Sequence, residues 1–239
     1  ANLFGLKLLE EAVKHMDISA IITLSEKARI VMYDRVKRSR WNKFQIDVHE
    51  IEDINKEANL LNTLNPDLVV LCGWRQVINK EILSIPKKGF VGFHPTLLPT
   101  GRGPAPIINS ILNGFETGGV TIFYVSEGLD DGDIIVQRSF KIGPDDHAKE
   151  VYNKCIATGK LLVSDFLHRV LYNQIIPIKQ DLSKGTVFDK PSLKNNKIDL
   201  ENESIEQIYR KIKALSKPYK GAYIEKDGKK LIIWRAELR

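Results

Sequence analysis

A short apolar run that ends in a histidine constrains the fold of this chain more than any other feature. Residues 90–93 are Phe-Val-Gly-Phe, His94 follows them, and the next nine residues contain two prolines and two glycines. This pattern predicts a buried strand that meets a loop at His94. Open parallel sheets bind ligands at the edge where their strands end. Histidine suits proton transfer at such an edge, because its free pKa lies closest to neutrality.

Shorter runs of the same kind alternate with helical patterns before that strand. β-Branched and apolar runs occupy residues 18–24, 46–48 and 68–72, and residues 55–64 space their apolar side chains as a helix does. Strands that alternate with helices predict a parallel sheet with helices on both faces. The run at 68–72 is continuous, which is typical of strands buried on both faces. We therefore predict an α/β fold with a doubly wound, mostly parallel sheet.

The C-terminal part of the chain has a different character. Polar residues, a proline and two adjacent asparagines predict a connector at residues 183–200. After it we predict a helix and the two strands of a hairpin, at residues 205–215, 222–225 and 231–235. We therefore expect a main domain at residues 1–182, and a linker with a small helix-plus-hairpin subdomain at residues 183–239.

A stretch rich in acidic residues separates two more strand-like runs, at residues 120–125 and 134–140. It places aspartates and a glutamate beside two glycines at residues 127–133. Asp and Gly are the ordinary residues of tight turns, so a solvated turn is the simplest interpretation. Taken alone, neither this loop nor the run that ends at His94 indicates a catalytic site.

The two stretches together form a long, ordered pattern. H-P-T-L-L-P begins at His94, R-G-P-A-P begins at Arg102, and E-G-L-D-D-G-D-I begins at Glu127. Several parts in a fixed order are far more specific than a single short motif. Over about residues 3–234 the chain resembles the folate-dependent formyltransferase family, whose members include methionyl-tRNA formyltransferase. It is most similar in appearance to the N-formyltransferases of nucleotide-linked amino sugars, and the resemblance implies a Rossmann-like catalytic domain.

The resemblance implies chemical roles for two residues. Formyl transfer to an amine needs a deprotonated amine, stabilisation of the oxygen that gains charge, and a proton for the departing nitrogen. By resemblance, His94 is the acid and base, and Asp130 orients and charges its imidazole. The neighbouring Asp131 and Asp133 are expected to shape the loop.

The resemblance also implies a binding site for the formyl donor, 10-formyltetrahydrofolate. In the family, the loop after the strand that ends near residue 72 holds the pterin ring, largely through backbone groups. We expect donor contacts from Trp74, Gln76, Val77, Ile78, Gly128 and Leu129. On periodicity alone, Val77 and Ile78 would instead start the core face of the next helix.

For the acceptor, the resemblance implies a nucleotide-linked amino sugar destined for surface glycans, bound by Thr96, Gly101 and Arg102. Arg102 lies before a predicted helix N-terminus and would meet the diphosphate, because such sites favour anions. The alternative, that Arg102 only braces its loop, is equally compatible with the sequence. Glycinamide ribonucleotide and methionyl-tRNA are alternative acceptors.

The chain departs from the family pattern at three places. Position 92 is glycine, where the family has an asparagine whose amide polarises the formyl oxygen, and we expect another polar donor to take over that task. No strand precedes the first predicted helix, which ends near residue 16. Too few residues follow Trp234 for the barrel that helps the methionyl-tRNA enzyme grip tRNA. The first two departures leave a catalytically impaired folate-binding module as an alternative from another functional class.

Composition narrows the partners and the compartment. The formal net charge of +6 suits an anionic substrate, and we do not expect nucleic acid, because the basic residues at 35–43 fit the solvated face of a helix. Cys72 and Cys155 lie in apolar stretches and are expected in the core. No run approaches the roughly 20 apolar residues of a membrane span, no signal peptide is visible, and no His/Cys cluster has metal spacing. We expect a cytoplasmic enzyme without metal or membrane contact, with a homodimer left open.

Overall fold

The computed structural model describes residues 2–28, 30–189 and 196–239, in which helices alternate with strands through the first half. The helices are α1 (Leu3–Ala12), α2 (Ser39–Asn42), α3 (Ala58–Leu64), α4 (Lys80–Leu83), α5 (Pro106–Leu112), α6 (Ala148–Leu171) and α7 (Ile205–Leu215). The strands are β1 (Ile21–Leu24), β2 (Val48–Ile51), β3 (Val69–Cys72), β4 (Phe90–His94), β5 (Thr117–Tyr124), β6 (Ile134–Lys141), β7 (Ala222–Lys226) and β8 (Lys229–Ile233). Among the described residues, none of the helices combines the length and apolar character that crossing a bilayer requires.

The chain divides into two compact units, each built from three segments. The first unit comprises Ala1–His94, Thr121–Gln137 and Gly159–Gln180. The second comprises Pro95–Val120, Arg138–Thr158 and Asp181–Arg239. The boundary at residue 182 that the sequence suggests between a catalytic domain and a C-terminal subdomain stays a prediction.

The strands of the first unit pair in both orientations. β1 pairs in parallel with β2, and β3 pairs in parallel with β4. On its other side β4 pairs antiparallel with β5, so that Gly92 lies opposite Phe123 and His94 lies opposite Thr121. The predicted α/β fold is confirmed, and its sheet is mixed because β5 joins it in the antiparallel direction.

Strand β3 is less buried than the continuous apolar run at residues 68–72 predicted. Val70 is 42% exposed, and the other residues of β3 are half-buried. In the part of the chain that the structure describes, β1 pairs only with β2. Within those residues, strand β3 pairs only with β4 and is therefore an edge strand. Residues of β1 and β3 both line a cavity of about 680 Å³. The sequence pattern was misleading here, because apolar residues do not reveal how many neighbours a strand has.

Apolar side chains from strands and helices hold β4 in the first unit. Leu24 of β1, Ile51 of β2, Leu61 of α3 and Ile82 of α4 pack with Phe90 in one buried cluster. Full burial of such a side chain contributes about 1.5–3 kcal/mol relative to exposure. The strand that ends in the histidine is therefore anchored through its first residue.

The second unit contains the predicted helix and hairpin. Helix α7 begins with a capping box, in which the Ser204 hydroxyl accepts a hydrogen bond from the Gln207 N–H and the Gln207 side chain accepts one from the Ser204 N–H. Strands β7 and β8 pair antiparallel across Asp227 and Gly228. Both turn residues have positive φ, at 53° and 68°, which the two-residue turns of tight hairpins require.

Candidate active site

His94 occupies the last position of β4 and is buried, like every other residue of that strand. Its ring meets the ring of Phe123 edge-on, with the centroids 6.4 Å apart. Opposite it on β5 lies Thr121, whose hydroxyl accepts a hydrogen bond of 3.3 Å from the Gln137 amide. The imidazole is therefore fixed by the sheet and by its neighbours rather than carried on a free loop.

Asp130 brings a carboxylate to this imidazole. Its Oδ2 atom lies 3.5 Å from Nδ1 of His94, with the histidine side chain 8% exposed and the aspartate 25% exposed. This distance is longer than an ordinary N–H···O hydrogen bond but within the range of an ion pair. A carboxylate placed so can hold one tautomer of the imidazole and stabilise its protonated form. The structure thus brings together the two residues that the sequence assigned to the chemistry.

The loop that carries Asp130 is packed tightly on itself. A side chain at Gly128 would overlap the Asp131 carboxylate, and one at Gly132 would overlap the backbone carbonyl of Tyr124. The Asp131 carboxylate accepts a hydrogen bond from the Ser126 hydroxyl. These contacts leave Asp131 engaged inside the loop, which agrees with the loop-shaping role expected for it.

The loop after β3 starts beside His94. Cys72, the last residue of β3, pairs with Phe93. Gly73, which follows β3, and His94, which ends β4, therefore lie at the same edge of the sheet. Cys72 is only half-buried as a residue rather than in the core as expected, but the surroundings of its thiol are desolvated, which raises the pKa to about 12. The thiol therefore stays protonated near neutral pH.

The four loop residues assigned to the donor have different surroundings. The Trp74 indole packs against the core, and its buried Nε1–H has no hydrogen-bond partner among the described residues. The Gln76 side chain is already engaged, because it donates to the Glu52 carbonyl at 2.7 Å and accepts from the backbone N–H of Ile54 at 3.1 Å.

Val77 and Ile78 separate the two interpretations that the sequence left open. Ile78 is buried in the core cluster, but it precedes α4, which begins at Lys80, so neither residue starts the core face of that helix. Val77 is 80% exposed, so it does not belong to the core. An exposed apolar side chain at this position is available to an apolar ligand, as is Leu129, which is 51% exposed.

The space that a side chain at position 92 would occupy is already filled. A Cβ added to Gly92 would lie 2.8 Å and 3.1 Å from two ring carbons of Phe123, and 3.3 Å from a methyl group of Val125. An asparagine could enter only if the phenylalanine moved. The polar donor expected to replace the missing amide stays a prediction.

In the second unit, the three residues assigned to the acceptor lie in one loop. The buried Thr96 hydroxyl donates to the Gly101 carbonyl at 3.3 Å, and the Gly101 N–H donates to the Thr186 hydroxyl at 2.9 Å. Gly101 has a φ of 72°, and a side chain there would overlap the Phe188 ring. Arg102 exchanges backbone hydrogen bonds with Thr186 and Phe188. Thr96 and Gly101 therefore shape this loop through contacts within the unit.

The Arg102 side chain is differently placed. Its buried Nε–H has no hydrogen-bond partner among the described residues. A buried guanidinium donor without an acceptor is costly, so an anionic ligand would satisfy it.

Two residues beside the candidate site were missed by the sequence interpretation. Phe123 covers Gly92 from the neighbouring strand, and Gln180 reaches the backbone of the Asp130 loop with hydrogen bonds of 2.9 Å and 2.6 Å. Each lies more than thirty positions from the segment it contacts. Neither residue belongs to a motif quoted above, so the local sequence did not single them out. Within the described ranges, no three His, Cys, Asp or Glu side chains are grouped so that they could hold a metal ion.

Solved structures share the fold of this chain from end to end. A 4-N formyltransferase from Francisella tularensis matches with a TM-score of 0.80 at 23% identity, over 100% of this chain and 95% of that one. An N-formyltransferase from Helicobacter canadensis, solved with folinic acid and dTDP-3-aminofucose, matches with a TM-score of 0.72 at 20% identity, over 97% of this chain and 83% of that one.

Sequence comparisons give the family. A methionyl-tRNA formyltransferase from Halalkalibacterium halodurans is 36% identical over 197 residues, which are 82% of this chain and 62% of that relative. The chain thus spans less than two thirds of the relative's length. Residues 7–167 match the family described as formyl transferase, and residues 192–239 match the formyl transferase C-terminal domain. The chain belongs to the formyl transferase family.

Proposed function

We propose that this chain is an N-formyltransferase that moves a formyl group from 10-formyltetrahydrofolate to the amine of a nucleotide-linked amino sugar, for surface glycans. The observation that carries the proposal is the pair of His94 and Asp130, whose Nδ1 and Oδ2 atoms lie 3.5 Å apart at the end of a buried strand. This pair stands in a chain of the formyl transferase family.

His94 and Asp130 divide the proton transfers between them. His94 takes a proton from the attacking amine and returns one to the departing nitrogen, because an imidazole can do both near neutral pH. Asp130 holds Nδ1 and stabilises the imidazolium while it carries the proton. The donor supplies the formyl group when it is bound.

We propose that the flat ring of the donor meets apolar side chains on its face and polar groups at its edges. Val77 and Leu129 offer exposed apolar side chains, and Trp74 offers a buried N–H that has no partner among the described residues. Gly128 lets the acid loop fold tightly, because a side chain there would overlap Asp131. Gln76 and Ile78 would act through backbone groups, since the side chain of each is engaged within the protein.

Arg102 is the residue that we propose for the acceptor's diphosphate. Its buried Nε–H, which finds no acceptor in the described part of the chain, supports this role, because a guanidinium fork matches phosphate oxygens. Thr96 and Gly101 would support the loop rather than touch the nucleotide, since their polar groups bond within the unit. The net charge of +6 is favourable for any anionic acceptor.

Two of the three candidate acceptors have support among related proteins. The amino sugar is supported by the likeness in fold to an N-formyltransferase solved with dTDP-3-aminofucose, with a TM-score of 0.72. Methionyl-tRNA is the second candidate, because a relative at 36% identity is a methionyl-tRNA formyltransferase.

A direct assay distinguishes these acceptors. The purified chain is incubated with 10-formyltetrahydrofolate and, separately, with dTDP- and UDP-linked amino sugars, methionyl-tRNA and glycinamide ribonucleotide, and products are identified by mass spectrometry. His94→Asn tests whether product depends on the candidate site. His168→Asn is the matched control, because this histidine is exposed on α6.

Formylated nucleotide sugar that disappears in His94→Asn and persists in His168→Asn supports the proposal. If the product is formylated methionyl-tRNA, the proposed acceptor is wrong but the proposed formyl transfer stands. Folate binding without any product would refute the enzymatic proposal and favour a folate-binding module.

A further inference from the structure

The loop that carries Asp130 holds its backbone in an uncommon conformation. Asp130 has a φ of 50°, in the left-handed region that non-glycine residues seldom adopt. Such a conformation persists where the surrounding structure enforces it, and these positions cluster at functional sites. In this loop the backbone carbonyls of Asp130 and Gly132, on either side of residue 131, both accept hydrogen bonds from outside the loop.

Gln180 holds both of them. Its Nε2 group donates to the Asp130 carbonyl at 2.9 Å and to the Gly132 carbonyl at 2.6 Å. The two hydrogens of one amide thus bridge the backbone on both sides of residue 131. The backbone near Gln180 is held beside the Asp130 loop, because Ile134 and Ile178 exchange two backbone hydrogen bonds of 2.8 Å.

Burial in this segment is the reverse of what side-chain polarity predicts. Ile176 and Ile178 are 78% and 64% exposed, whereas Gln180 is 6% exposed. The side-chain amide oxygen of Gln180, Oε1, is also buried and has no hydrogen-bond partner among the described residues. A buried amide that leaves its acceptor unsatisfied is unfavourable as packing alone, so its two donors explain its position better.

We propose that Gln180 is a positioning residue for formyl transfer, an inference that rests on the proposed function. Its amide pins the backbone at Asp130 and so keeps the carboxylate directed at His94. In this role it acts on the reaction through the backbone at Asp130 rather than through a contact with donor or acceptor. Removing it should leave ligand binding largely intact and should impair the proton transfers.

The test replaces the amide by an isosteric side chain that cannot donate. Gln180→Met should lower kcat about 10- to 100-fold, because small displacements of a catalytic group have effects of this size. The KM for 10-formyltetrahydrofolate should change far less. Gln174→Met is the matched control, since Gln174 is exposed in the same segment. Gln180→Asn, whose amide is one methylene too short to reach both carbonyls, serves if the methionine variant does not fold.

A second measurement does not need turnover. The proton NMR resonance of the His94 Nδ1–H group reports its carboxylate acceptor, and Asp130→Asn gives the position expected when that contact is lost. Gln180→Met should move the resonance towards that position, and Gln174→Met should not. This arm stands even if the wild-type chain formylates nothing, which would refute the proposed function alone. A folded Gln180 variant with wild-type kcat, or with an unmoved His94 resonance, would overturn the inference.

Discussion

Gly92→Ala should destabilise the protein, because the neighbouring strand already fills the space for a side chain. The new methyl carbon would lie 2.8 Å and 3.1 Å from ring carbons of Phe123, and 3.3 Å from Val125. Carbon atoms prefer separations of about 3.5–4.0 Å, so the ring must shift within a packed core. Overpacking of this kind typically costs about 1–3 kcal/mol.

A smaller effect acts in the opposite direction. Replacing glycine by alanine at an unstrained position stabilises a protein by about 0.4–1 kcal/mol, because the unfolded chain loses freedom. Gly92 does not have a positive φ, so this gain applies. We expect a net loss of about 1–2 kcal/mol, which is about a 5- to 30-fold change in the folding equilibrium.

Urea denaturation measures this loss as a lower midpoint at an unchanged slope. Gly143→Ala is the matched control, since its Cβ would meet its nearest atom at 3.5 Å, an ordinary contact. In a Phe123→Leu background the cost of Gly92→Ala should fall by at least about 0.5 kcal/mol, because the clashing ring is gone. A neutral Gly92→Ala variant, or an equal cost in both backgrounds, would refute the argument.

The remaining predictions concern chemistry and ionisation. His94→Asn and Asp130→Asn should each lower kcat by about 10²- to 10⁴-fold while far-ultraviolet circular dichroism stays that of the wild type, and normal turnover in either would contradict its role. At Glu10 burial raises the pKa, but hydrogen bonds and charges from two lysines outweigh it and lower the pKa from 4.5 to about 2. A carboxylate whose pKa is lower in the folded state stabilises the fold fully at pH values above its unfolded-state pKa. This stabilisation is lost as the pH falls through the folded-state pKa. Glu10→Gln should therefore cost about 1 kcal/mol or less at neutral pH and much less near pH 2, as urea titrations across that range will test. Burial raises the pKa of the Cys155 thiol, which is 1% exposed, so a thiol reagent should label it only after unfolding; labelling of the native protein would contradict its burial.

Elements with local signals could be predicted from the sequence. Helix α7 forms at residues 205–215 as expected, because Ser204 and Gln207 cap its first turn within four residues of chain. The hairpin forms around Asp227 and Gly228 because these residues tolerate positive φ. Strand β4 ends at His94 as expected, since an apolar run followed by prolines and glycines is also a local pattern.

Elements that depend on a distant partner were predicted less well. β2 was expected at residues 46–48 and lies at Val48–Ile51, where it includes the polar His49 and Glu50. Pairing with β1 sets the bounds of β2, because Val48–Ile51 are the residues that lie opposite Ile21–Leu24. The polarity of the β2 side chains does not reveal this pairing. The burial of β3 depends likewise on how many neighbours it has.

The sequence by itself determined the identity of the candidate pair, because His94 and Asp130 belong to an ordered motif. Only the tertiary structure decided how they meet, at 3.5 Å between Nδ1 and Oδ2. It also decided that Phe123 fills the space beside Gly92 and that Gln180 grips the acid loop from 48 and 50 positions away. Local patterns follow from the conformational preferences of neighbouring residues. Contacts between distant residues arise only when packing brings their strands and loops together, so a single sequence carries no direct record of them.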